Sequence, residues 1–399
     1  NEKIKRVALM SKRANGEGSI YHYKPRNCYC GELYIGVDTN GKKKVKKFYS
    51  KTKKEVKEKM DNYKLLNPIG QAAINEYTVA TWFNYWLWNI KKRDIKPTTF
   101  ARYESVYRTH IESSEIANIP LYKLKLNNIQ AYYNKLLDNG TPIATIKQIN
   151  SKLKTCLDSA EKNNYIEKNY CKLVEIPTDT KEKKIEVFTI EQQDDFIKII
   201  KGHNLELFFL MALCTGLRLG ELMGLKWSDI DFDKHTLTVN RTVGRVALFD
   251  KNGKKHYETI EQTPKTANAF RTVPIVSNVF DMLLDHQVQQ EKIKEKLPNY
   301  NKYNLIFCDK NGYYLNPNSP TGTFQRMQRN MDISEKDRIS FHGLRKTFAT
   351  RLFEKGIPPK TAQVLLGHSD ISITLNVYTE VMENKKIAAI NELENIFTL

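Results

Sequence analysis

His342-Gly343-Leu344-Arg345, Leu365-Leu366-Gly367-His368-Ser369 and Tyr378 follow one another near the end of the chain, and Thr215-Gly216-Leu217-Arg218-Leu219-Gly220-Glu221-Leu222 stands far upstream. Each stretch carries its own local geometry. His342 and Arg345 are three residues apart and so share one helical face. Gly367 breaks a helix and exposes the His368 imidazole. Gly216 and Gly220 flank Arg218 in a helix–turn–helix-like join and let backbones approach closely. Glu221, three residues after Arg218, can orient its guanidinium. Around these stretches the pattern predicts a mixed, mainly helical domain over 187–399, opened by a Thr189-x-x-Gln192 capping box. Helices are expected at about 190–201, 205–215, 219–225, 278–296, 321–330, 342–355, 360–366 and 371–378. Strands are expected at 235–240, 245–249, 256–262 and 271–275, with Asn252-Gly253 as a hairpin turn.

Upstream of this domain, 178–186 is polar, charged and poor in apolar residues, and reads as a linker. The region 77–177 reads as all-helical. One helix runs from about Val79 to Lys92 with Trp82, Trp86 and Ile90 on one face. Pro97 opens the next, through Tyr103, Val106 and His110. Asn127 is placed to cap a third at about 129–137, and Pro142 opens a long fourth through Ile146, Ile149, Leu153, Leu157 and Ala160. The aromatic stripe of the first helix is core rather than a stacking surface. Residues 67–76 read as a second linker. Met10 is read as the natural start, and 10–66 as a small domain of three strands and a helix, with Asn40-Gly41 as a hairpin turn. The fold class is thus multidomain: an N-terminal three-stranded β-sheet plus helix, an all-α domain, and a mixed mainly-α C-terminal domain with a small antiparallel sheet.

Composition narrows the partners. The chain has 399 residues, 64 Lys and Arg against 45 Asp and Glu, and a formal charge of +19. Such an excess favours a polyanion. Residues 1–66 hold 18 basic and 7 acidic residues, a surplus of +11, so the charge concentrates where lysines and aromatics alternate along the strands. A basic twisted sheet of this kind can enter a DNA groove. No apolar run approaches the ~20 residues that span a bilayer, and no secretory signal is seen; a cytoplasmic protein with no membrane partner is expected. The six cysteines are scattered. Only Cys28 and Cys30 are close, so reduced thiols and no metal site or cofactor are expected.

Cleavage of a phosphodiester by a side chain passes through five-coordinate phosphorus with growing negative charge. Without a metal, cationic donors must neutralise that charge. Arginine suits the work because its planar fork donates two parallel hydrogen bonds and stays charged. The leaving oxygen needs a proton, and the nucleophile must leave a covalent bond that can be reversed. Arg218 and Arg345 are candidates for the first task. Lys265, on the segment Thr263-Pro-Lys-Thr-Ala-Asn that follows a hairpin, can supply the proton. Tyr378 is the only tyrosine after His368 and the candidate nucleophile. Taken singly, each residue has an ordinary structural reading; together and in this order they point to DNA cleavage and rejoining.

The set Arg218, Lys265, His342-x-x-Arg345, Leu-Gly-His368 and Tyr378 resembles the signature of the tyrosine recombinases, the lambda-type phage integrase family, most of all the integrases of Gram-positive conjugative transposons. The resemblance implies that Arg218 and Arg345 clamp the scissile phosphate and that Lys265 is the general acid. It implies that His342 assists proton transfer, that His368 hydrogen-bonds the phosphate, and that Tyr378 forms a 3′-phosphotyrosine. It implies a core-binding domain at 77–177, an arm-binding domain at 10–66, and a catalytic domain at 187–399 ending in a tail helix with Ile387, Ile390, Leu393 and Phe397 on one face. The partners implied are double-stranded DNA at core and arm sites and a homo-tetramer on that DNA; the motifs leave open whether a small directionality factor is needed for excision. Lys346 departs from the second histidine frequent after Arg345, and the stretch from His368 to Tyr378 is longer than in the simplest bacterial members. A type IB topoisomerase-like enzyme is the nearest alternative, but relaxing DNA requires neither an arm-like domain nor a tail helix. A DNA-binding regulator with an idle catalytic domain would leave the filled catalytic positions without use.

Overall fold

The computed structural model describes residues 18–37, 43–66, 77–178, 186–250, 253–264 and 267–383. The chain divides into two units, 1–181 and 182–399. The Asn40-Gly41 turn, the 67–76 linker, Asn252, Lys265 and the tail face from Ile387 to Phe397 lie outside the described residues.

In the first unit β1 (Ser19–Tyr23), β2 (Cys28–Val37) and β3 (Lys43–Ser50) form an antiparallel sheet in the order β1-β2-β3. Period-two alternation sends Leu33 to one face, where it meets Val56 and Met60 of the Lys53–Leu66 helix, with Ile20, Tyr29 and Phe48 packed around them. Gly31 lies so close beneath that helix that a Cβ there would fall 2.6 Å from Val56 Cγ1.

The helical region departs from the sequence pattern in two places. The Val79–Tyr85 helix continues as a π-turn over Trp86–Ile90. The wider winding rotates the stripe: Trp82, Trp86 and Leu87 are buried, while Ile90 is exposed. The Pro97–Val106 helix likewise passes into a π-turn at Tyr107–Ile111; Tyr107, four residues after Tyr103, and Ile111 are buried, while Val106 and His110 are only partly so. The third helix is Leu126–Asp138 and begins before Asn127. Its first turn is closed instead by Asn128, whose Oδ1 accepts the Lys125 N–H at 2.9 Å. The long Ile143–Lys162 helix buries the five residues expected of it, together with Cys156.

In the second unit the Thr189–Gln192 capping box starts the Ile190–Ile200 helix. β4 (Ile230–Asp231), β5 (Thr236–Val239) and β8 (Arg271–Pro274) make one antiparallel sheet, and β6 (Thr242–Phe249) pairs with β7 (Lys255–Gln262) as a separate hairpin. The core is dominated by phenylalanines. Phe324 stands among Phe188, Phe196, Phe209 and Phe341 with ring centroids 5.3–6.0 Å away. Phe341 is the first residue of the Phe341–Glu354 helix, so this cluster fixes the helix that carries His342 and Arg345. Phe324→Ala is expected to destabilise this unit by ~3–5 kcal/mol through cavity formation, seen as a lower unfolding midpoint in a denaturant titration; an unchanged midpoint would contradict the cluster's role.

Candidate active site

The second unit brings Arg218, His342, Arg345 and His368 together from three helix ends and one helix face. The Glu206–Thr215 helix stops at Gly216, whose φ of 62° is left-handed. Any side chain at Gly216 would also collide with Phe348, 2.4 Å from an added Cβ. The Gly216 carbonyl therefore faces the Phe341–Glu354 helix and accepts a hydrogen bond of 2.7 Å from Arg345 Nη1. Arg218 is the N-cap of the short Leu219–Met223 helix. Its backbone N–H and its Nη1 both donate to Glu221, at 3.0 and 2.7 Å. Gly220 permits this helix to lie on β6, where an added Cβ would meet Val243 O at 2.6 Å.

Glu221 is nearly inaccessible and is held from its other side by a residue that sequence reasoning missed. Arg271, first in β8 and itself buried, donates from Nη2 to Glu221 Oε2 at 2.8 Å and from Nη1 to Oε1 at 3.3 Å. Burial alone would push the carboxyl up. The Arg271 hydrogen bonds, and then the charges of Arg271 and Arg218, bring it down to about 2. Arg271 Nε also donates to Leu365 O at 2.7 Å, and Arg345 Nη2 donates to Leu366 O. Two guanidiniums thus satisfy carbonyls at the end of the Pro359–Leu366 helix, which would otherwise be orphaned there. Gly367 then turns with φ 66° and His368 emerges.

The field at this place is strongly positive. Arg345 is buried, and its Nε has no hydrogen-bond partner among the described residues. Burial first, and then Arg218 and Arg271, draw its guanidinium down to about 9, so it stays charged at neutral pH. His368 is lowered to about 4 by burial, then by Arg345, Arg218, His342 and Arg271. His342 shifts in the same direction, through the protein around it and then the neighbouring cations. Both imidazoles are therefore neutral near pH 7. Two charged forks, two neutral rings and a donor left without a partner among the described residues suit an oxyanion such as a phosphodiester.

Tyr378 lies on the Ile371–Glu383 helix, which runs further than the expected 371–378. Its half-buried ring meets Phe353 edge-on, with centroids 5.3 Å apart. Phe353 and Arg345 share one helix, eight residues or ~12 Å apart along its axis. The structure thus brings the two arginines, the two histidines and Glu221 into one cluster, with Tyr378 packed at Phe353 on the same helix pair. Lys265, in the segment between β7 and β8, lies outside the described residues.

Residues 186–385 match the Phage integrase family, and residues 78–137 match the Phage integrase N-terminal SAM-like domain. The chain is 38% identical over 400 residues to a tyrosine recombinase XerC-like protein of Caldanaerobacter subterraneus subsp. tengcongensis, covering 97% of this chain and 100% of that one. Its fold is similar to that of the Tn1549 transposon integrase in complex with transposon right end DNA, with a TM-score of 0.61 and 25% identity, covering 80% of this chain and 99% of that one. It is also similar to a lambda integrase tetramer bound to a Holliday junction, with a TM-score of 0.53 and 23% identity, covering 88% and 95% of the two chains.

The Glu221 carboxylate has a pH signature. Its folded pKa lies below the unfolded value of 4.5, so its stabilising contribution is complete above 4.5 and disappears as pH falls through about 2. Glu221→Gln leaves Arg271 buried without its countercharge, at a cost of ~3–5 kcal/mol. Thermal unfolding should show a gap between wild type and variant at pH 7 that narrows steadily from pH 4.5 to 2. A gap independent of pH would contradict the ion pair.

Proposed function

The chain belongs to the phage integrase family, the tyrosine recombinases, and from that premise we propose that it integrates and excises a mobile element, such as a conjugative transposon or prophage, through a phosphotyrosine intermediate at Tyr378. The observation that carries this reading is the gathering of Arg218 and Arg345 with two neutral imidazoles, where Arg345 Nε has no hydrogen-bond partner among the described residues. The two guanidiniums clamp the non-bridging oxygens of the scissile phosphate. The Tyr378 hydroxyl attacks phosphorus, and its proton passes to the His342 imidazole. The P–O5′ bond breaks as Lys265 protonates the leaving oxygen, which gives a 3′-phosphotyrosine and a free 5′-hydroxyl. Attack by the partner strand's 5′-hydroxyl reverses each step, so the phosphodiester count is conserved without ATP.

In this proposal 187–399 is the catalytic domain, 77–177 grips the core site, and the basic 10–66 sheet reads arm sites. The enzyme acts on cytoplasmic DNA as four protomers that exchange strands through a Holliday junction, with a small directionality factor biasing excision. The lambda integrase structure is a tetramer on such a junction, and among the described residues no helix is long and apolar enough to cross a membrane.

Two experiments test the reading. Incubated with nicked duplexes from candidate insertion sites, the wild-type chain should give a denaturation-resistant 3′ adduct mapping to Tyr378. Tyr378→Phe should bind the same duplexes within about twofold and give no adduct, so an adduct from this variant would sink the assignment. Removal of residues 1–66 should abolish arm-site binding while core-site cleavage persists. Affinity for DNA carrying both kinds of site should also become less sensitive to salt, because the truncated chain neutralises fewer phosphates and releases fewer counterions. Loss of core cleavage from a folded truncation would contradict the arm role.

A further inference from the structure

Thr374 has no part in the chemistry so far, yet its environment is unusual for a threonine. It sits in the Ile371–Glu383 helix with no exposed surface. A valine of the same shape would be the ordinary choice at such a position, because a buried hydroxyl without a partner costs free energy. The partner of this hydroxyl is an active-site ring: Thr374 Oγ1 lies 2.9 Å from His368 Nδ1. A threonine within a helix commonly bonds back to the carbonyl four residues earlier, but this one reaches instead toward the turn that follows Gly367. Thr374 and Tyr378 are four residues apart, so they occupy one face of the helix a single turn from each other.

A neutral imidazole has one N–H and one bare nitrogen, and the bond made by one nitrogen decides what the other can do. His368 is neutral near pH 7 because burial and then Arg345, Arg218, His342 and Arg271 oppose its protonation. If Nδ1 carried the proton, Nε2 would present a lone pair to the phosphate and repel it. If Thr374 donates to Nδ1, the proton must be on Nε2, and the ring becomes a neutral donor. It then adds a hydrogen bond to the phosphate without adding charge to a place that already holds Arg218, Arg271 and Arg345.

We propose that Thr374 is a positioning residue that donates its hydroxyl proton to His368 Nδ1, fixing the ring orientation and the Nε2–H tautomer that meets the scissile phosphate. The assignment rests on the recombinase reading for its purpose, though not for its geometry. It also makes the helix that bears Tyr378 the support of a phosphate contact, so the nucleophile and His368 are placed by one element.

The test uses the full-length chain labelled with 15N-histidine, with His368 assigned by its loss in His368→Gln. In the free wild-type protein, Nδ1 should show the signal of an unprotonated, hydrogen-bonded nitrogen and Nε2 that of a protonated one. Thr374→Val, which keeps shape and burial, should remove the hydrogen-bonded character of Nδ1. It should also slow formation of the covalent adduct about tenfold at saturating DNA, as expected for one lost hydrogen bond. DNA affinity should remain within about twofold, and Thr374→Ser should restore both the spectrum and the rate. A proton on Nδ1 of the wild type overturns the proposal. So does a Thr374→Val enzyme that cleaves at the wild-type rate, or one whose whole defect is weaker binding. Failure of the wild type to form any adduct strikes the phosphotyrosine reading, while the tautomer in the free protein still decides the Thr374 assignment.

Discussion

One buried carboxylate holds the second unit's arginine–histidine cluster in order. Glu221 lies between Arg218 and Arg271 and accepts hydrogen bonds from both. It makes a buried guanidinium at position 271 tolerable, since an unpaired charge there would cost several kcal/mol. Arg271 in turn satisfies the Leu365 carbonyl, and Arg345 satisfies the next one, Leu366. Those two bonds define where the Pro359–Leu366 helix stops and hence where His368 begins. The chain of dependence runs from a carboxylate near the middle of the sequence to a histidine almost 150 residues later.

The close approaches along that route demand glycine. An added Cβ at Gly367 would sit 2.8 Å from Asn268 O and 2.9 Å from Arg271 Cδ, and Gly216 is hemmed in by Phe348 and Leu366. Both also have left-handed backbones. These glycines bring carbonyls within reach of buried guanidiniums, so each serves packing and hydrogen bonding together.

Much of this is legible in the sequence because strong local signals coincide with the functional stretches. Caps, glycine stops and three-residue spacing place Arg218, Glu221, His342, Arg345 and His368 correctly on their elements. Arg271 is not legible. Among 64 basic residues a strand arginine has no motif. Its signal is the alternation of β8, which puts Arg271 and Val273 on the buried face, where a cation requires an acid. Thr374 is hidden for a similar reason, since only the folded turn after Gly367 shows which ring its hydroxyl meets. The π-turns escape because a period of 3.6 assumes regular winding, and one wider turn rotates every later side chain.

The same charges suit the site to an anion. With Glu221 committed to two arginines, the remaining field is positive, and burial first and then that field keep both imidazoles neutral. On the proposed reaction, a phosphodiester held between Arg218 and Arg345 would cancel part of that field and raise the proton affinity of His342 and His368. In that proposal His342 accepts a proton more readily with the phosphate bound than without it. The donors are already fixed by backbone carbonyls and by Glu221, so little reorganisation is needed as charge grows on the phosphorus oxygens. In the proposed reaction, proton transfer and phosphate binding are linked through burial and the charge balance of one acid and three guanidiniums.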